Sequence, residues 1–303
     1  MSTTLIAVVI ALLLGHVAQS LAASVRHYGW WGNWLRWLGS RFGEGGAWRG
    51  RYGIAIALLP PVITVGLFQL ALDEPLLGLA GLLLGVAVLF YAWGPRDLDL
   101  DVDAIVDAQD PVARRDAAAR LWPHDKTPTL DGPALVDAVF RNSLRRWFGV
   151  LFWFLLLGAC GALLYRLAAL SAEGDEAHLL PGENAAGARA LLTLLDWPVA
   201  QLMTLSMALV GNFDTVLGAW KDGGGASLQL DTGFLGAVAR ASVRSEIADE
   251  AQDYAESGVS TASAISSSLG ELPELRDAMS LVWRILLLWL AVIALFVIAG
   301  WVT

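Results

Sequence analysis

The chain has 303 residues, of which 56% are hydrophobic and only 16% charged, with a mean hydropathy of +0.57. Soluble globular domains carry about 25% charged residues, so the composition is that of a membrane protein, with the lipid bilayer as its first partner. A net charge of −9 excludes nucleic acid as a partner, because phosphate contacts need clustered Lys and Arg in excess.

Fourteen tryptophans fit a bilayer boundary, where the indole buries its ring and keeps its N–H wet. The lone Cys160 cannot form an intrachain disulfide, and with four scattered histidines it gives no transition-metal constellation. No metal or cofactor is expected. The expected fold is all-α: a polytopic membrane helix bundle with five or six transmembrane helices and helical cytoplasmic segments.

In chain order, the first apolar run, about 4–24, lacks a basic n-region and is followed by Arg26, so it reads as a retained span rather than a cleaved signal. Residues 25–51 follow, with five arginines against Glu44. Trp30, Trp34 and Trp37 fall three or four apart beside Leu38, which predicts an amphipathic helix in the interface plane. The arginines place this loop in the cytoplasm under the positive-inside rule. GEGGAWRGR at 43–51 lacks the Gly-Lys-Ser/Thr of a phosphate loop and reads as a flexible turn.

Two further spans are expected at about 53–72 and 76–94, joined by an outside hairpin at Asp73 and Glu74. The polar segment 95–146 carries eight Lys/Arg and returns to the cytoplasm. Asp97, Asp99, Asp101 and Asp103 superficially resemble a calcium loop, but Val102 and Ala108 stand where Gly and Glu are required. They read as a solvated edge or helix lead-in. Asp110-Pro111 is a helix-start signal, and His124 in PHDKTP reads as a solvated loop residue.

A fourth span is expected at about 147–166, with Arg145 and Arg146 at its start and Tyr165 and Arg166 at its end. Gly158-xxx-Ala162 on that helix would let a neighbour approach closely. A weaker stretch, about 197–218, is limited by Pro198, Gln201, Asn212 and Asp214, and it decides the side of residues 219–280. That region has ten acids against four Lys/Arg, three glycines at 223–225 and a Ser/Thr-rich stretch at 257–269. The last span is about 281–302. The whole chain reads as one integral membrane domain of a bacterial inner membrane.

The run FRNSLRRWFGVLFWFLLLGACGALLYRLAAL, with Gly-x-x-Gly-Ala-Leu-x-Tyr-Arg at 158–166, and the later Asp-Trp-Pro-x-x-x-Leu block at 196–202 resemble AmpE. This bacterial inner-membrane family is usually encoded beside the peptidoglycan-recycling amidase AmpD. The chain is also distantly similar to the CobD/CbiB proteins, which join an aminoalcohol phosphate to a corrinoid acid. Those relatives carry a pattern like Glu-Ser-x-x-Glu-Asn before the Gly-rich block. Here Phe140-Arg141-Asn142-Ser143-Leu144-Arg145-Arg146 stands there without carboxylates, and Pro198-Val199-Ala200-Gln201-Leu202 replaces a Pro-Ala-Arg-Leu.

The AmpE resemblance implies a signalling or sensor protein linked to β-lactamase induction, antibiotic resistance and peptidoglycan recycling, with a functional link to AmpD. The residues add guanidinium groups beside a membrane groove, which suit a phosphate or carboxylate. The expected ligand is an anionic lipid or a muropeptide, and the candidate ligand-binding residues are Asp116, Arg120, Asn142, Arg145, Arg146, Tyr165, Arg166 and Asp196. No catalytic residue is assigned, and a non-enzymatic role is preferred. The alternative is a membrane-embedded ligase or synthase on a CobD/CbiB-type scaffold, using Asp116, Arg120, Asn142, Arg146 and Asp196.

Overall fold

The computed structural model describes residues 2–17, 24–42, 46–72, 78–94, 96–123, 127–227, 229–257 and 272–299. The Asp73–Glu74 hairpin, His124 and residues 258–269 of the Ser/Thr-rich stretch lie outside them. The described residues are helical and contain no strand. The fold is all-α, as expected.

The chain divides into two compact units, one made of Met1–Asp97, Arg145–Asp196 and Val292–Thr303, the other of Leu98–Leu144 and Trp197–Ala291. Three helices are long and apolar enough to cross a bilayer: Gly53–Leu72, Gly182–Val210 and Pro273–Ile298. Two shorter apolar helical stretches, Leu5–Gly15 and Leu79–Ala92, accompany them. The chain is a membrane protein on that ground.

The first unit contains α1 (Ser2–Val17), α2 (Gly29–Phe42), α3 (Gly53–Leu72), α4 (Gly78–Ala92), α8 (Gly149–Leu157), α9 (Ala159–Glu173) and the start of α10 (Gly182–Val210). In α2 the packed face is Trp31, Leu35 and Leu38, while Trp30 and Trp37 are exposed and Trp34 is half-buried. The predicted Trp30-Trp34-Trp37 stripe therefore lies beside the core face, and Trp34 and Trp37 stack with ring centroids 5.1 Å apart. Trp34 also has an internal task. Pro61 has no N–H for the Ala57 carbonyl one turn back, and the Trp34 indole donates to that carbonyl at 3.1 Å instead. The predicted turn at 43–51 contains a 3-10 turn at Ala47–Arg49 with Trp48 buried.

The apolar run 147–166 is not one helix. It is a helical hairpin that breaks at Gly158, whose φ of 71° and ψ of −151° suit only glycine. At about 1.5 Å per residue, its nine-residue first arm, α8, reaches about 14 Å, against a hydrocarbon core of about 30 Å. The arms lie side by side. A β-carbon on Gly149 would strike the Tyr165 ring, and one on Gly161 would strike the Trp153 carbonyl. Gly149 and Gly161 seal the hairpin's own seam, while Gly158 leaves room for the Gln69 side chain of the neighbouring helix α3.

A break in apolar surroundings strands backbone polar groups. Gln69 of α3 answers two of them with one amide, donating to the Leu157 carbonyl at 3.3 Å and accepting from Cys160 N at 3.2 Å.

The second unit contains α5 (Leu98–Val106), α6 (Pro111–Ala119), α7 (Gly132–Ser143), the rest of α10, α11 (Phe213–Asp222), α12 (Gly233–Glu256) and most of α13 (Pro273–Ile298). The Asp110-Pro111 signal is realised, with Asp110 accepting from Ala113 N at 3.0 Å. The acidic alternation lies on helix α5, where Asp101 is fully buried rather than solvated and Asp99 accepts from the Trp283 indole at 2.9 Å. The stretch 197–218 is not one helix either. α10 begins at Gly182, runs through Pro198 and stops at Val210; Asn212 then starts α11 by accepting from Thr215 N at 3.0 Å. An asparagine side chain that caps a helix start outcompetes continuation of the previous helix.

Candidate functional site

The site of the first unit begins with a defect in helical winding. Between α7 and α8 the chain makes a π-helical turn over Leu144–Phe148. Such a turn shifts the backbone hydrogen bonds by one residue and frequently marks a functional position. The Arg166 guanidinium, brought back by the hairpin, faces the carbonyls of Arg145 and Arg146 with its Nη2 at 3.3 and 3.5 Å. Its Nε donates to the Ala92 carbonyl at 2.6 Å.

Ala92 ends α4, and the last carbonyls of a helix lack intrahelical donors and carry its negative dipole end. Three consecutive carbonyls there are each met by a side chain. Arg26 Nε donates to Phe90 O at 3.0 Å, the Tyr28 hydroxyl to Tyr91 O at 2.6 Å, and Arg166 to Ala92 O. Arg26 also lies over the Phe90 ring, 4.9 Å from its centroid. Burial lowers the Arg26 pKa and raises that of the Tyr28 phenol, which keeps the phenol a donor. Arg26 and Arg166 thus act as a two-cation cap on α4. The sequence marks Arg26 as the flank of the first span and as one of the five loop arginines.

The second layer is ionic. Arg145 pairs with Glu173, at the end of α9, and with Asp196 of α10 through Nε at 3.4 Å. The buried Tyr165 hydroxyl donates to Asp196 Oδ1 at 2.5 Å. Asp196 is only 1% exposed, so its charge is held out of water by one cation and one hydroxyl. Trp153 of α8 donates to the adjoining Leu195 carbonyl at 3.1 Å, fixing α10 against the hairpin.

Four of the eight sequence-predicted residues, Arg145, Tyr165, Arg166 and Asp196, therefore meet in one cluster, with the backbone of the buried Arg146 joining it. The arrangement corrects the expected one, in which the Arg145-Arg146 pair and the Tyr165-Arg166 pair stand at opposite ends of a span. The hairpin puts both at its open end. Asp116, Arg120 and Asn142 belong to the second unit. Asp116 and Arg120 are exposed on and just after α6, and the Asn142 amide donates to Leu121 O and Ala138 O, both at 2.8 Å.

Glu173 was not singled out by the sequence. It lies 28 residues from Arg145, and no helical period connects residues across a hairpin. Among the described residues no group of three or more His, Cys, Asp or Glu side chains could hold a metal ion, and Asp97, Asp99, Asp101 and Asp103 do not form one.

The chain is 32% identical over 187 residues to the cobalamin biosynthesis protein CobD of Chromobacterium violaceum, a stretch that covers 57% of this chain and 57% of that protein. The chain thus matches under two thirds of the length of this curated relative. No family model matches it, and no solved structure does so significantly.

Proposed function

We propose that this chain is a bacterial inner-membrane signalling or sensor protein of the AmpE kind, linked to β-lactamase induction and peptidoglycan recycling, on a scaffold similar to that of CobD. The observation that carries this reading is the pairing of Arg145, with buried Asp196 on one side and Glu173 on the other. Glu173 is 38% exposed at its side chain, so it is the exchangeable partner. A lipid phosphate or a muropeptide carboxylate reaching Arg145 would replace Glu173 in a charge-assisted contact. The end of α9 would then be released, while Asp196 and Tyr165 hold the rest. That is a two-state contact biased by ligand, which is what a sensor needs.

The test uses a strain deleted for the gene and carrying an inducible β-lactamase reporter, complemented with the parent chain or with Arg145→Gln. Deletion alters induction, the parent restores it and the variant does not. Purified protein binds a muropeptide or a lipid phosphate, and Arg145→Gln weakens that binding. Unchanged induction on deletion defeats the proposal.

The likeness to CobD favours one other reading, a membrane-embedded ligase or synthase using residues among Asp116, Arg120, Asn142, Arg146 and Asp196. Turnover by the purified protein of ATP with magnesium, an amine and a carboxylate would support it over the sensor.

A further inference from the structure

In the second unit, a set of oxygens converges where α10 ends. Gly211 follows the last residue of α10 and donates back to the Met207 carbonyl at 2.9 Å. The place that a β-carbon would take on Gly211 lies 3.1 Å from the Met207 carbonyl oxygen, 3.3 Å from Ser242 Oγ and 3.7 Å from Glu246 Oε1. Ser242 is 1% exposed, yet its hydroxyl has no hydrogen-bond partner among the described residues; neither has Glu246 Oε1. The other oxygen of Glu246 is paired with Arg284.

The surroundings carry excess negative charge. The Asp277 carboxylate, also with an unpartnered oxygen, lies in the field of Glu250, Glu246 and Glu274, opposed by Arg284. The last carbonyls of α10 add the negative end of its dipole. A buried hydroxyl and a buried carboxylate oxygen without partners are costly. A water would satisfy the hydroxyl but leave the surplus of carboxylates around Arg284, and the helix dipole, unopposed.

We propose that the cradle at Gly211 binds a hard monovalent cation of about sodium's size, held by Glu246 Oε1, the Ser242 hydroxyl and the Met207 carbonyl of α10. Hard cations take oxygen ligands, whereas magnesium demands near-octahedral geometry and keeps several waters. One carboxylate oxygen among neutral oxygen ligands is too low a ligand charge count for a divalent site. The cation ties the end of a membrane-spanning candidate helix to α12, within the second unit, whereas the Arg145 cluster belongs to the first.

The experiment follows thermal unfolding of the full chain in detergent while sodium chloride replaces choline chloride at constant ionic strength, with sodium-23 NMR line width as the direct readout. Sodium raises Tm saturably, as a ligand that binds the native state must, and broadens the sodium line. Gly211→Ala fills the cradle with a methyl group and Ser242→Ala removes a ligand. Each abolishes the sodium-dependent rise and the line broadening, while melting near the parent in choline. Equal Tm in sodium and choline, or a sodium effect that survives in both variants, would overturn the site. An equal rise with magnesium at matched ionic strength would overturn its assignment to a monovalent ion.

Discussion

Tyr165 and Asp196, 31 residues apart and both buried, meet through a 2.5 Å hydrogen bond from phenol to carboxylate. The contact exists because Gly149 leaves the space that the Tyr165 ring fills. Tyr165→Phe keeps the ring and deletes the donor, so Asp196 retains Arg145 alone. The expected loss is about 1–3 kcal/mol of stability, measured by denaturant unfolding of the purified protein in detergent. Gly149→Ala should cost more than Tyr165→Phe, since its β-carbon displaces the ring itself.

Arg145 is the cation that compensates Asp196. Arg145→Gln leaves that carboxylate buried without a counter-charge, with an expected cost of about 3 kcal/mol. The double variant Arg145→Gln with Asp196→Asn removes both charges and should recover most of that loss. A double-mutant cycle reads the coupling directly; additive losses would show that the pair contributes nothing.

Because Cys160 is the sole cysteine of the chain and sits beside the Gly158 break, its labelling by a maleimide reports on the hairpin tip. Gly158→Ala forces a side chain into a positive-φ position and against the Gln69 amide. Gln69→Ala removes the donor to Leu157 O and the acceptor for Cys160 N. Both substitutions should speed labelling in membranes, Gly158→Ala the more. An unchanged rate in both would mean that neither residue closes the tip.

Glu176 lies between α9 and α10, where burial pushes its carboxyl above the ordinary 4.5. A carboxyl raised in the folded state favours the protonated form on folding. Its ionisation therefore costs stability as pH rises from about 4.5 through the folded-state value, and the cost is constant above that. Glu176→Gln should be more stable than the parent at neutral pH, with the difference vanishing below that window. Unfolding midpoints across pH, parent against variant, check the sign.

The all-α class and the membrane setting follow from the sequence because they depend on summed quantities: apolar fraction, run length and scarcity of charge. The Asp110-Pro111 helix start is equally local, since a cap needs only the residues beside it. The same chemistry acts at Asn212, but a 20-residue hydropathy window averages over it, so 197–218 reads as one marginal span. Run length likewise cannot distinguish one crossing helix from two short arms, and at 147–166 the outcome turns on the φ of Gly158.

That single dihedral angle is what only the tertiary structure decided, and the candidate site depends on it. With a straight helix, Arg145 and Arg166 would stand about 30 Å apart at 1.5 Å per residue. Folded back, Arg166 lies 3.3 Å from the Arg145 carbonyl, and Arg145 reaches Glu173 and Asp196. The sequence by itself determined which side chains carry charge into an apolar run. Which of them neutralise one another depends on contacts across a hairpin, and those follow no periodicity along the chain.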